Sequence, residues 1–257
     1  MIPYHDENQT QRTAIVTLAI IGLCVIAWLV IQCAGSFVPL ASSVCNLGLI
    51  PGELTQSLAP GTSFPMGQGP EGGALVCLVD PGRQLNTVLT HMFLHGSWMH
   101  LIGNMWFLWL FGNNIEDSMT RPRFVIFYLA CGLAAALLQV ALDPRSEVPM
   151  VGASGAISGV MGAYLVLYPR VRVYTMIPLG FYMTNVALPA WVMLLYWAAL
   201  QFFGGLGSLG ASGGGVAFWA HVGGFVAGVV LIKLFARSDR TASHAAQQWQ
   251  PRRARWG

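Results

Sequence analysis

Charged residues divide this chain into five long uncharged stretches. They run from Thr13 to Gly52, Gln84 to Ile115, Phe124 to Leu142, Val148 to Pro169 and Val173 to Ile232. A helix needs about 20 mostly apolar residues to cross the hydrocarbon core, so each stretch holds at least one candidate span. The last is too long for one helix, and GGLGSLGASGGG at 204–215 divides it. Its opening portion, VYTMIPLGFYM, contains Pro178 and Gly180, is too short to cross, and reads as a loop lying at the membrane interface. The pattern predicts six helices at 13–33, 92–112, 124–142, 152–169, 184–203 and 216–236, an all-α polytopic bundle.

Composition agrees with that pattern. Only 9% of the 257 residues are charged and 55% are hydrophobic, against about 25% charged in soluble domains. This excludes an ordinary soluble protein and makes the lipid bilayer its solvent. Lys and Arg collect on the cytoplasmic side of membranes. With the N-terminus inside, the inner segments hold Arg12, Arg121, Arg123, Arg170, Arg172, Lys233, Arg237, Arg240, Arg252, Arg253 and Arg255, while the outer segments hold only Arg83 and Arg145. Both ends are therefore expected in the cytoplasm, most simply at a bacterial inner membrane. The net charge of +3 reports topology and implies no nucleic-acid partner. The first apolar run follows Asp6, Glu7 and Arg12 and lacks a small-x-small cleavage site, so it reads as a span and not as a leader.

The expected layout is a cytoplasmic N-terminus (1–12), a membrane domain (13–236) and a disordered basic cytoplasmic tail (237–257), whose plain role is anchoring near anionic lipid. Within the membrane domain an outward-facing loop spans 34–91, and a connection that long is usually functional or disordered. It carries Cys45 and Cys77. A disulfide between them is permitted on the oxidising side, but spacing alone leaves the pairing open.

Polar residues stranded inside spans must find partners, so they carry the functional signal. The second helix and its entry hold His91, His95, His100 and Asn104; the fourth begins with Ser154; the sixth holds His221. These three helices run from outside to inside, which puts His100, Asn104, Ser154 and His221 at roughly one depth in the outer half. A serine becomes a nucleophile when a base takes its proton, and His221 is the candidate base. His100 and Asn104, four apart on one helix face, and the Ser154 backbone N–H are candidate donors to an oxyanion. Every Asp and Glu lies outside the spans, which points to a dyad and away from a Ser-His-Asp triad. Competing readings remain. Gly155 with Gly159, and Gly224 with Gly228, form GxxxG pairs whose usual meaning is packing. His91 and His95 have zinc-helix spacing but no HExxH motif, and clustered histidines also suit haem or a transporter.

The stretches HMFLHGSWMHLIGNMWFLWLFG, GASG and AHVGGFVAG, in this order, resemble the rhomboid family of intramembrane serine proteases. The resemblance covers the chain from the first helix through the sixth, omitting mainly the long loop and the tail. It implies Ser154 as nucleophile, His221 as base, and His100, Asn104 and the Ser154 backbone as the oxyanion site, without metal or cofactor. It further implies that His91 and His95 tie the outer loop and second helix to the fourth helix near Gly152, and that Glu116 packs at the inner end of the second helix. The partners it implies are transmembrane protein substrates cut near the outer face, with Val186 to Phe203 as the substrate gate. An inactive, client-binding relative is the alternative, and the oligomeric state stays open. Two departures stand out. Ser158 occupies the place where an aromatic often stacks on the catalytic imidazole, leaving Trp219 or another ring to orient it, and QLNTVLTH replaces a Trp-Arg pair before the second helix.

Overall fold

The computed structural model describes residues 1–68, 73–179, 182–208 and 216–241. The chain enters through strand β1 (Ile2–Asp6) and helix α1 (Ile15–Ile26), which continues as one π-helical turn over Ala27–Ile31. The 34–91 connection carries α2 (Phe37–Leu47), α3 (Pro51–Leu54), the antiparallel hairpin β2 (Ser63–Gln68) and β3 (Ala74–Leu78), and α4 (Thr87–Thr90). Then follow α5 (Trp98–Phe107), a π turn over Leu108–Gly112, and α6 (Asn113–Asp117), which form one continuous helical path. The remainder is α7 (Arg121–Leu142), α8 (Ser154–Leu167), strands β4 (Arg172–Leu179) and β5 (Tyr182–Pro189), α9 (Ala190–Ser208) and α10 (Phe218–Phe235). Of these, α7, α9 and α10 are each long and apolar enough to cross a membrane.

Several boundaries correct the sequence reading. The fifth helix begins at Ala190 and not at 184, because the interfacial segment is a β-hairpin: β5 pairs with β4, and β1 adds to its far edge in the order β1-β4-β5. Val173, Thr175, Thr184 and Val186 are β-branched and suit a strand. This sheet and the β2–β3 hairpin are two departures from an all-α chain, although the protein is mostly helical. The second helix starts at Trp98, not 92, because Ser97 caps it by accepting a hydrogen bond from the His100 N–H at 3.1 Å. Before it lies one 3-10 turn, His91–Phe93. That helix also runs on to Asp117, five residues past the expected end.

The described residues of the 34–91 connection are tied together and to the bundle. Cys45 and Cys77 form a disulfide, and Ile50, Phe64, Cys77 and Val79 build a small core. Leu49 and Met150 exchange backbone hydrogen bonds, and the Thr55 and Ser57 hydroxyls donate to the Pro144 carbonyl at 2.6 and 2.8 Å. This connection is thus fastened to the segment that leads into α8. At the other end, Glu116 accepts from the Val16 and Thr17 N–H groups at 3.0 and 2.8 Å and from the Thr17 hydroxyl at 2.8 Å. A carboxylate there satisfies orphan donors at the start of α1 and complements its dipole. Most of the basic tail, 242–257, lies outside the described residues.

The central element is α8, where every residue from Ala156 to Tyr164 is buried. It packs between α7 and α10. A Cβ on Gly224 would land on the Gly155 carbonyl oxygen, and one on Gly228 on the Gly159 oxygen. The two GxxxG pairs therefore interlock with each other, backbone against backbone.

Candidate active site

Ser154 opens α8, and the residues before it set its direction. Gly152 has φ of 127°, open to glycine and strained for other residues, and its N–H donates to the His91 carbonyl at 2.9 Å. A Cβ at Gly152 would lie 2.8 Å from His100 Nε2, so the imidazole of His100 lies directly against this turn. On α10, His221 sits in the first turn. The glycine interlock brings it to Ser154: Oγ and His221 Nε2 are 2.8 Å apart.

The other nitrogen of His221 identifies the tautomer. Nδ1 lies 2.8 Å from Gln201 Oε1, on α9. An amide oxygen only accepts, so Nδ1 carries the proton and the Nε2 lone pair is left to accept the Ser154 hydroxyl hydrogen. Trp197, one turn earlier on α9, lies over the same ring, with centroids 5.9 Å apart and planes 39° from parallel. Trp219 does not orient His221, contrary to one expectation; its ring meets Phe202 edge-on at 5.9 Å. Ser158 is buried and turns back to donate to the Ser154 carbonyl at 2.6 Å.

His100 and Asn104 reach the same place. The Gly96 N–H donates to His100 Nδ1 at 3.3 Å, which puts the ring proton on Nε2, beside Gly152. Asn104 is 7% exposed, and its Nδ2 has no hydrogen-bond partner among the described residues. A buried, unpaired donor is uncommon and calls for an explanation. Both residues line a cavity of about 1350 Å³ that also receives Gly152, Ser154, Trp197 and His221.

His91 and His95 act through different atoms. His91 Nδ1 hydrogen-bonds the Thr87 carbonyl at 2.8 Å, while its own carbonyl holds Gly152. The His95 backbone is gripped on both sides by the Gln32 amide, at 2.8 and 2.9 Å. Its fully buried ring stands edge-on to His100, with centroids 5.2 Å apart. Two groups escaped the sequence reading: Gln201, and Gln139 on α7, whose Oε1 accepts from the Ala220 N–H at 3.2 Å. Their signal was available. Both are amides late in helices expected to run outward, which puts them at the depth of Ser154.

A family model described as a Rhomboid domain matches residues 82–238. Rhomboid protein 1, mitochondrial, of Saccharomyces cerevisiae is 25% identical over 171 residues, covering 63% of this chain and 46% of that protein. RHOMBOID-like protein 5 of Arabidopsis thaliana is 34% identical over 88 residues, 34% of this chain and 28% of its own length. Rhomboid protease GluP of Bacillus subtilis is 37% identical over 78 residues, 30% of this chain and 15% of its own length. The chain thus aligns with less than half the length of each of these relatives. Both bacterial and mitochondrial proteins occur among them.

Proposed function

The chain belongs to the rhomboid family, and we propose that it is an intramembrane serine endopeptidase cutting the transmembrane segments of other proteins near the outer membrane face. The observation that carries this reading is the 2.8 Å hydrogen bond between Ser154 Oγ and His221 Nε2, made between α8 and α10. As Ser154 Oγ attacks the scissile carbonyl carbon, His221 Nε2 takes its proton. The carbonyl oxygen becomes an oxyanion, which His100 Nε2–H, the free Asn104 Nδ2–H and the Ser154 N–H stabilise. The imidazolium then protonates the leaving amine as the C–N bond breaks, giving an acyl-enzyme. Water, deprotonated by the same nitrogen, hydrolyses the ester and restores Ser154.

Six crossings with both termini in the cytoplasm accommodate this chemistry. The three crossings besides α7, α9 and α10 are α1 with its π turn, α5 through α6, and α8. With 14 residues, α8 is about 21 Å long against a hydrocarbon thickness of about 30 Å. Ser154 therefore lies below the outer surface, and the cavity above it supplies water. The partners are the bilayer and transmembrane substrates entering beside α9, in a multi-pass protein of a bacterial inner membrane.

The test is labelling with a fluorophosphonate serine probe in detergent micelles, with cleavage of a transmembrane-helix substrate in parallel. Wild type should label and cut, Ser154→Ala should do neither, and His221→Ala should be slowed by about 10²-fold or more. Labelling that survives Ser154→Ala would sink the nucleophile assignment. A folded wild type that neither labels nor cuts, yet binds the substrate helix, would establish the inactive, client-binding alternative.

A further inference from the structure

We propose that Gln201 is a positioning residue of this site: its Oε1 accepts the Nδ1–H of His221 and holds the imidazole in the tautomer whose Nε2 lone pair faces Ser154. This rests on the reading of Ser154 and His221 as nucleophile and base. A neutral imidazole can carry its proton on either nitrogen, and only one of the two forms can accept from a serine hydroxyl. Something must choose. Among the described residues of the crossings, Asp and Glu occur only as Glu116 and Asp117 of α6, at the end of that helix away from Ser154, and an ionised carboxylate is costly at membrane depth. A neutral amide oxygen makes the choice without placing a charge there.

The delivery of that oxygen is built into α9. Trp197, Gln201, Gly204 and Gly205 recur at helical spacing and form one stripe toward α10. Trp197 covers the imidazole at 5.9 Å and Phe225 at 6.1 Å. Farther along, a Cβ on Gly204 would come within 2.6 Å of the Phe218 ring, and one on Gly205 within 2.9 Å of the Trp219 ring. Small residues there let α9 close on α10, and the closure brings the amide to 2.8 Å from Nδ1. Ser158, the residue one turn beyond Ser154, spends its hydroxyl on the Ser154 carbonyl. The residue one turn beyond Ser154 thus leaves the orientation of His221 to α9.

An amide differs from a carboxylate in one measurable respect: it selects the tautomer but adds no charge to stabilise the imidazolium. This dictates the experiment, which follows fluorophosphonate labelling and substrate cleavage against pH for wild type, Gln201→Leu and Gln201→Glu. Gln201→Leu keeps the bulk and removes the acceptor. It should slow labelling and lower kcat about tenfold or more, with KM and the melting temperature near wild type. Gln201→Glu restores an acceptor and adds charge. It should keep labelling and move the acidic limb of the pH–rate profile upward by about one unit or more.

Gln201→Leu labelling at the wild-type rate, or Gln201→Glu following the wild-type pH profile, would overturn the assignment while leaving the nucleophile and base in place. A purely structural amide would instead lower the melting temperature of both variants and leave the limb unmoved. If Gln201→Leu does not fold, the Gln201→Glu profile decides alone. Failure of the wild type to label at all would strike the underlying reading and not this one.

Discussion

His221 is held from two sides by two helices that are built in opposite ways. On the Ser154 side, α8 meets α10 through glycines whose Cα atoms rest on the partner's carbonyl oxygens, and the middle of α8 is wholly buried. On the Gln201 side, α9 buries only Ala190, Met193, Leu194 and Gly205, and it turns Trp191, Leu195, Tyr196, Leu200 and Phe203 outward. Backbone against backbone has no soft coordinate, because nothing in the contact can rotate aside. Ring against glycine does have one. The proposed nucleophile and base are therefore set by a backbone-to-backbone contact, and the amide proposed to position the base comes from a helix that meets α10 ring against glycine.

Matched substitutions separate the two contacts. Gly224→Ala places a methyl on the Gly155 carbonyl, which cannot move without dragging α8. We expect a loss of ~3 kcal/mol or more, beyond the usual range for overpacking, with labelling abolished as Ser154 and His221 part. Gly205→Ala meets a ring, 2.9 Å from the new Cβ, that can tilt away. Its cost should be ~1 kcal/mol, with labelling slowed only several-fold. Equal melting temperatures for the two variants would erase the distinction between the helices.

Trp197→Ala ranks next. It removes the ring that lies 5.9 Å from the imidazole but leaves both hydrogen bonds of His221 possible. Aromatic pairs contribute roughly 0.5–1.5 kcal/mol beyond their area, so a fall in kcat of about 2- to 12-fold is expected, without a change in the pH limb. A loss as deep as that of Gly224→Ala would mean that α9 is as rigidly bound as α8.

The stiff contact was easier to read in the sequence than the yielding one. Gly155, Gly159, Gly224 and Gly228 announce themselves by spacing, and Ser154, His100 and His221 stand out as polar types in apolar runs. Gln201 did not, because an uncharged amide among LLYWAALQFFGG draws no attention until its depth is compared with that of Ser154. Nor did the sequence disclose that Ser158 would bond its own helix, since a hydroxyl has both choices. The hairpin before α9 was missed for a related reason. A short apolar run such as NVALP has the same hydrophobicity as a helix end, and pairing with strand residues 9–17 positions away decides its state. The Cys45–Cys77 bridge depended likewise on a fold of the outer connection that spacing alone does not encode.

The smallest expected effect on the site comes from the far end of the bundle, where one strand is bonded to α8 and linked to α9 through its sheet. Asp6 of β1 accepts from the Tyr164 hydroxyl of α8 at 2.5 Å and from Asn114 Nδ2 at 2.9 Å. The same strand pairs with β4, whose partner β5 continues into α9. Burial pushes the Asp6 carboxyl up to about 6, against the opposing pull of the Tyr164 hydrogen bond and the nearby His5. The folded form thus holds a proton that the unfolded form has released. Attachment of β1 is strongest below the ordinary carboxylate range near 3.8 and weakens as pH rises through about 6. A shift of that size corresponds to ~3 kcal/mol at most. Amide exchange in β1, corrected for its intrinsic pH dependence, should be better protected at pH 5 than at pH 8, and Asp6→Asn should flatten the difference. Because α8 and α10 do not depend on this strand for their interlock, labelling of Ser154 should change by less than about twofold over the transition once the titration of His221 itself is subtracted. A larger change would show that the inner sheet governs α9, and through Gln201 the base.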